Sequence, residues 1–231
     1  MEHNIQQDIW KHMAGVEAVK LIEDGMVLGI GTGTTAAQMI YALAQRIREG
    51  LRIRGVVPTS QASAELADKL GIPITDLDTY PELDLVIDGA DEIDGQLRLI
   101  KGGGGALLRE KIVASNTRRF VVIADVTKQV PQLGYTVPLP VEVIPFGATP
   151  VRLRLEALGA LVQIRQTAAN GVYRTDNGNM ILDCFFTQGI ADPEGLESSI
   201  RRIVGVVESG LFLHMVDQAI IGGPDGISIL P

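Results

Sequence analysis

Between Leu83 and Ala114 the sequence LDLVIDGADEIDGQLRLIKGGGGALLREKIVA gathers most of the side chains able to do chemistry. A mostly apolar run, Leu83 to Ile87 with Asp84 inside it, breaks into four acids: Asp88, Asp91, Glu92 and Asp94. Crowded carboxylates raise one another's pKa, a property suited to proton transfer. They could equally bind a divalent cation through oxygen, although the spacing is not that of a calcium-binding helix–loop–helix, or form a solvated acidic turn. Position favours a site, because Asp88 directly ends a buried strand. Lys101 and the glycines Gly102 to Gly105 follow. Glycines let backbone N–H groups approach a ligand closely, and Lys101 adds a positive charge beside them. With a helix starting near Gly105, Glu110 and Lys111 fall in its first two turns, the carboxylate facing inward and the lysine elsewhere. Taken alone, Arg109-Glu110-Lys111 fits the surface of an amphipathic helix better.

A second glycine-rich turn, GIGTGTTA (Gly29 to Ala36), sits between a predicted strand and a predicted helix. Converging N–H groups and the helix N-terminus suit an anion there, and Thr32, Thr34 and Thr35 add hydroxyl donors. A tight turn that needs small residues explains the pattern as well. A dinucleotide fingerprint fits poorly, since Thr34 stands where a third glycine is expected and the next strand ends in Pro58-Thr59-Ser60 without an acid. No Gly-Lys-Ser/Thr follows to make a nucleotide P-loop.

The elements that must position these groups alternate. The pattern predicts a helix over 5–23, with Ile9, Met13, Val16, Val19 and Leu21–Ile22 on an apolar face. Strands follow at 26–30, 53–57, 72–74, 83–87 and 120–124, with helices through about Arg48 and over 62–70. Such alternation suggests right-handed βαβ units around a mostly parallel sheet, whose ligands collect at the carboxyl ends of the strands. The turns after Ile30, Val57 and Ile87 all lie at such ends. From Val137 the composition shifts: VPLPVEVIPFGATP reads as an edge strand or a passage into another domain. A helix over 150–158, strands at 161–166, 171–175 and 179–186 with an Asp176-Asn177-Gly178 turn, and a helix over 193–203 make a small α+β block. The tail returns to the first style. The pattern therefore suggests an α/β chain, a mostly parallel sheet of residues 1–132 and 207–231 with a small α+β domain inserted over 133–206.

With 231 residues, 46% hydrophobic and 21% charged, the chain can bury a sizeable core. A net charge of −8 argues against general nucleic-acid binding. The single cysteine, Cys184, permits no internal disulfide and sits in an apolar alternating run that reads as core. His3, His12 and His214 are scattered, without zinc-site spacing. No apolar run approaches a membrane span, and the first residues lack the pattern of a signal peptide. The expectation is a cytoplasmic protein.

GTGTTAA, DGADEID, KGGGGALLREK, ADVTK, PLPVEVIPF, TDNGN and GGPDG occur in order in this one chain. Together they resemble the ribose-5-phosphate isomerase A family over essentially the whole length. The resemblance implies a Rossmann-like α/β main domain with an inserted ferredoxin-like α+β domain, and an aldose–ketose isomerase interconverting ribose 5-phosphate and ribulose 5-phosphate in the pentose phosphate pathway, without metal or cofactor, as a homodimer or a tetramer. It assigns the general base to Glu110. The substrate loops become Thr32, Gly33, Thr34 and Thr35; Asp88, Gly89, Ala90 and Asp91; and Lys101, Gly102, Gly103 and Gly104. Lys128 and Lys11 join the phosphate site. In this scheme Asp88 helps open the sugar ring, Asp91 positions hydroxyls, and Lys101 with the Gly102–Gly104 amides holds developing charge. Two departures are visible: Thr34 and Thr127 stand where the family usually has Ser. The rival readings are a sugar-phosphate-sensing domain of a transcriptional regulator, for which only one helix precedes Met26, and a related deaminase or lactonase, which the full motif series disfavours.

Overall fold

The computed structural model describes residues 2–231, the side chains of residues 2–4 excepted, so that of His3 lies outside the described residues. The chain forms two compact units. One comprises residues up to Ala90, Arg109–Lys128 and Met215–Pro231; the other comprises Asp91–Leu108 and Gln129–His214.

The first unit is built on a six-stranded sheet. Its strands lie in the order Gly226–Leu230, Gln218–Gly223, Phe120–Asp125, Leu85–Gly89, Val27–Ile30, Gly55–Pro58, and all neighbours are parallel except the first pair. The central strands are buried along their whole length, which is why they read as apolar runs up to the carboxyl ends where Asp88 and Asp125 stand. From Val27–Ile30 the chain steps outward to Gly55–Pro58, then crosses back to Leu85–Gly89 on the other side. The sheet thus reverses its winding between Val27–Ile30 and Leu85–Gly89, the place where open α/β sheets leave a ligand crevice.

Two glycines let the layers close. A Cβ at Gly29 would lie 2.5 Å from Val113 Cγ1 and 2.6 Å from Val86 Cγ2, so only glycine lets the helix carrying Val113 settle on this strand. A Cβ at Gly15 would lie 2.8 Å from the Met39 N, so the first helix, Glu2–Ala18, meets the helix Thr34–Arg48 backbone to backbone. That contact corrects part of the predicted apolar face, of which Val19 and Ile22 are buried as expected. The small residues Ala14, Gly15 and Ala18 are buried, whereas Ile9 and Val16 are exposed. Ile72–Ile74 forms no strand; only a single bridge, Val56 to Ile74, is made.

The second unit holds a four-stranded antiparallel sheet, in the order Val206–Ser209, Leu139–Val143, Met180–Phe185, Leu161–Ile164, with helices Ala148–Ala157 and Pro193–Arg201. In chain order this is βαββαβ, the ferredoxin-like arrangement. A three-stranded sheet joins Leu211–Phe212, Leu99–Ile100 and Glu92–Ile93. The proline-rich strand Leu139–Val143 lies inside the sheet, not at an edge. Its neighbour Val206–Ser209 pairs no further than Val141, so Pro140 removes no ladder bond on that side. Gly171–Thr175 is not a strand. The Thr175 hydroxyl and the Asn177 and Asn179 amides instead donate to the buried Glu142 Oε1, at 3.0, 3.3 and 2.8 Å, and wrap the segment around that carboxylate.

Candidate active site

In the first unit the turn after Val27–Ile30 meets the end of Leu85–Gly89. Gly31 N–H donates to Ile87 O (3.0 Å), drawing the two strand ends together. Asp88 is buried, and its Oδ1 accepts from the N–H groups of Thr32 (3.1 Å) and Gly89 (2.6 Å). A Cβ on Gly31 would overlap that carboxylate, so the turn needs glycine there. Gly33 precedes the helix Thr34–Arg48 with φ 98° and ψ −178°, a conformation open only to glycine, and no side chain caps the helix. Gly33 and Thr34 are exposed and Thr35 half-buried. The first-turn N–H groups of a 15-residue helix therefore face outward beside Asp88, suited to an anion.

Thr32 plays a different part from its neighbours. Its hydroxyl lies 2.8 Å from Thr59 Oγ1, 2.8 Å from Ser60 Oγ and 3.3 Å from Ser63 Oγ, inside a buried hydroxyl cluster. Ser63 also donates to Gly31 O (2.6 Å), and Thr59 to Ile30 O (3.1 Å). The cluster fixes the turn from behind, and Thr32 offers a ligand little beyond its position.

Glu110 lies in the first turn of the helix Leu107–Ser115 and is 5% exposed; Lys111 is 7% exposed. Burial of both overturns the reading of the triplet as helix surface. Val113, seated on Gly29, is one turn further along the same face, so the close packing there also sets Glu110. Lys128 ends a short 3₁₀ turn, Val126–Lys128, at the carboxyl end of Phe120–Asp125 and is half-buried. Asp125 Oδ1 accepts from both the N–H (3.0 Å) and the hydroxyl of Thr127, shaping that turn. Lys11, on the helix Glu2–Ala18, pairs with Asp8 at 3.3 Å.

In the second unit the glycine loop is held on every side. Lys101 is 2% exposed, donates its N–H to Gly210 O (2.9 Å), and places Nζ 5.5 Å from the Phe212 ring centroid. Asp91 Oδ2 accepts from Gly103 N–H (2.7 Å), and Gly105 N–H donates to Gly102 O (2.9 Å). Gly102 and Gly105 have φ of 100° and 82°. The other two acids of the loop are structural. Glu92, wholly buried, accepts from Gly134 N–H (2.5 Å), Thr136 N–H (2.6 Å) and hydroxyl (2.6 Å), and Val137 N–H (3.0 Å). Asp94 caps the turn before Leu99–Ile100, accepting from Gln96, Arg98 N–H and Arg98 Nε at 2.9, 3.0 and 2.7 Å. Among the described residues no three His, Cys, Asp or Glu groups are placed to hold a metal ion.

The sequence matches the ribose 5-phosphate isomerase A (phosphoriboisomerase A) family over residues 55–226. Ribose-5-phosphate isomerase A of Roseiflexus sp. (strain RS-1) is 52% identical over 225 residues, 96% of either chain. The chain belongs to the ribose 5-phosphate isomerase A family. Its fold agrees with solved members. The structure of ribose 5-phosphate isomerase A from Methanocaldococcus jannaschii gives a TM-score of 0.92 at 44% identity, over 97% of this chain and 99% of that one. A D-ribose-5-phosphate isomerase in complex with phospho-erythronic acid gives 0.91 at 39%, over 96% and 97%.

Within this member of the isomerase A family, several contributors escaped the sequence reading. Thr59, Ser60 and Ser63 were visible as hydroxyls after a strand, but nothing local told that they would face Thr32. Arg165 and Tyr173, which grip the glycine loop from more than sixty residues away, had no local signal at all. Cys184 is buried, and burial foremost, with Asp183 adding to it, pushes its thiol up to about 12, in keeping with a core residue. His12 pairs with Gln38 (3.2 Å), and exposed His214 with Glu194 (3.3 Å). No described helix is long and apolar enough to cross a membrane.

Proposed function

We propose that this chain interconverts D-ribose 5-phosphate and D-ribulose 5-phosphate through an enediolate, in the non-oxidative pentose phosphate pathway, with Glu110 as the proton carrier. The observation that carries the reading is Glu110 itself: a carboxylate held 5% exposed in the first turn of a helix that Gly29 locks onto the sheet. Starting from the aldose, Glu110 takes the C2 proton as the C1 carbonyl electrons move onto O1. The proton on O2 passes to O1, and Glu110 returns its proton to C1, leaving the ketone at C2. Atoms and charge balance with no external oxidant.

Lys101 and the backbone amides of the Gly102–Gly104 loop hold the charge that develops on O1 and O2. With Gly103 N–H spent on Asp91, the Gly102 and Gly104 N–H groups remain as the amide donors of the loop. Asp88, steadied by two N–H groups, assists ring opening; Asp91, Gly89 and Ala90 position sugar hydroxyls. Gly33, Thr34, Thr35, Lys128 and Lys11 hold the phosphate, and Thr32 sets the turn. The relative crystallised with phospho-erythronic acid supports this chemistry. That acid is one carbon shorter than the sugar, so its carboxylate stands at the place of C2 and puts negative oxygen where the enediolate carries O2. We further propose a cytoplasmic homodimer or tetramer, which light scattering tests.

The deciding experiment is a coupled assay of ribose 5-phosphate turnover, with and without EDTA, on wild type and Glu110→Gln. Wild type should turn over in EDTA, while Glu110→Gln keeps sugar-phosphate binding and loses at least roughly a thousandfold in kcat. Near-normal turnover by Glu110→Gln removes it as the base. Binding without turnover by the wild type would favour a sugar-phosphate sensor.

A further inference from the structure

The glycine loop is gripped by its carbonyls, and the grip comes from a distant hairpin. Arg165, just past the strand Leu161–Ile164, donates Nη1 to Gly102 O (2.7 Å) and Gly103 O (3.0 Å). Its remaining donors are fixed by Asp183, through Nε to Oδ2 (2.9 Å) and Nη2 to Oδ1. Both side chains are about 15% exposed, so the pair is a partly desolvated, two-pronged ion pair. Tyr173 N–H donates to Arg165 O (2.9 Å), and the Tyr173 hydroxyl donates to the next carbonyl, Gly104 O (3.3 Å). A Cβ on Gly105 would lie 2.6 Å from Tyr173 Cε1, so the loop and the hairpin are in close contact.

A planar trans peptide sets its C=O and N–H on opposite sides, so a held carbonyl aims the N–H of the following residue. Three peptides are held in this way. Fixing Gly102 O aims Gly103 N–H, which Asp91 takes; fixing Gly104 O aims Gly105 N–H, which Gly102 O takes. Fixing Gly103 O aims Gly104 N–H, which has no acceptor among the described residues. We propose that Arg165, oriented by Asp183 and assisted by Tyr173, is a positioning residue that presets the Gly104 N–H as an oxyanion donor. The guanidinium acts from behind the loop, through the peptide, and touches no substrate atom. This rests on the reading of the Gly102–Gly104 loop as the place where enediolate charge collects.

The signature is a loss in kcat rather than in ground-state binding, because the donor matters most when charge has developed. Arg165→Met should lower kcat roughly 10- to 100-fold, near the lower end for losing an oxyanion donor, with KM within about threefold. Inhibition by phospho-erythronic acid should weaken by a similar factor, and inhibition by inorganic phosphate should not change. Arg165→Lys should recover little, since one ammonium cannot fork onto two carbonyls while holding Asp183. Asp183→Asn, the milder variant should Arg165→Met fail to fold, should lower kcat about three- to tenfold with the same pattern. A folded Arg165→Met with kcat within twofold of wild type, or a loss confined to KM, overturns the proposal; for Asp183→Asn an unchanged kcat does so. If the wild type isomerises and Glu110→Gln is inactive while Arg165→Met is normal, the positioning role alone falls. A wild type that does not isomerise removes the underlying reading instead.

Discussion

Gly31 faces Asp88 so closely that the pair can be tested as a unit. Replacing Gly31 by Ala puts a methyl onto the Asp88 carboxylate, and the Asp88 Cβ would itself be 2.6 Å away. Rotating the carboxylate therefore cannot relieve the clash alone; a strand end must also shift. Overpacking of this kind costs about 1–3 kcal/mol. Losing the two N–H bonds from Thr32 and Gly89 costs about 1.5–3 kcal/mol each where the acceptor is charged. With partial relaxation we expect Gly31→Ala to destabilise by about 3–6 kcal/mol. In an Asp88→Gly background the offending atoms are gone, and the same change should cost under about 1 kcal/mol. Urea unfolding of the four proteins, compared by midpoint at constant slope, measures the coupling. Equal costs in both backgrounds, or a Gly31→Ala cost below about 1 kcal/mol with Asp88 present, would refute the account of this turn.

Three further outcomes can be checked more simply. Glu92→Ala leaves four donors between Gly134 and Val137 without their acceptor and should destabilise by roughly 3–5 kcal/mol in calorimetry, with Glu92→Gln intermediate. Thr127→Ser keeps the hydroxyl that serves Asp125 and should leave Tm and KM unchanged, whereas Thr127→Val should loosen the turn and raise KM, read from steady-state kinetics. The Cys184 thiol titrates at about 12 in the folded chain, above its unfolded value, so the folded state binds more protons between those two values. Stability should fall as pH rises through that window, by up to about 1.4 kcal/mol per pH unit, and Cys184→Ala should remove that slope in alkaline urea titrations.

Much of the first unit was legible because buried parallel strands must be largely apolar, and the turns between them need glycine for stated reasons. The three candidate loops at strand ends could be placed without coordinates. The helix Glu2–Ala18 misled because small residues, Ala14, Gly15 and Ala18, bury more completely than the larger Ile9 and Val16 when backbones approach closely. Leu139–Val143 misled because a proline marks an edge only where its missing N–H would have been used. Asp94 and Glu92 could not be told from Asp88 and Asp91 by type or spacing. What separates them is the partner each finds, and for Glu92 those partners lie more than forty residues away. The carbonyl clamp on the glycine loop was hidden for the same reason.

The interior position of Phe120–Asp125 has a consequence during synthesis. Its outer neighbour, Gln218–Gly223, follows only after the chain has made the ferredoxin-like block. Roughly 90 residues at about 5–20 residues per second leave this strand one-sided for some 5–20 s. All six of its residues end up buried, five of them apolar, so for that interval a largely apolar edge lies open on the ribosome-bound chain. Slower translation of this stretch should lower soluble yield, and supplying the Gly210–Pro231 segment upstream, by circular permutation, should raise it.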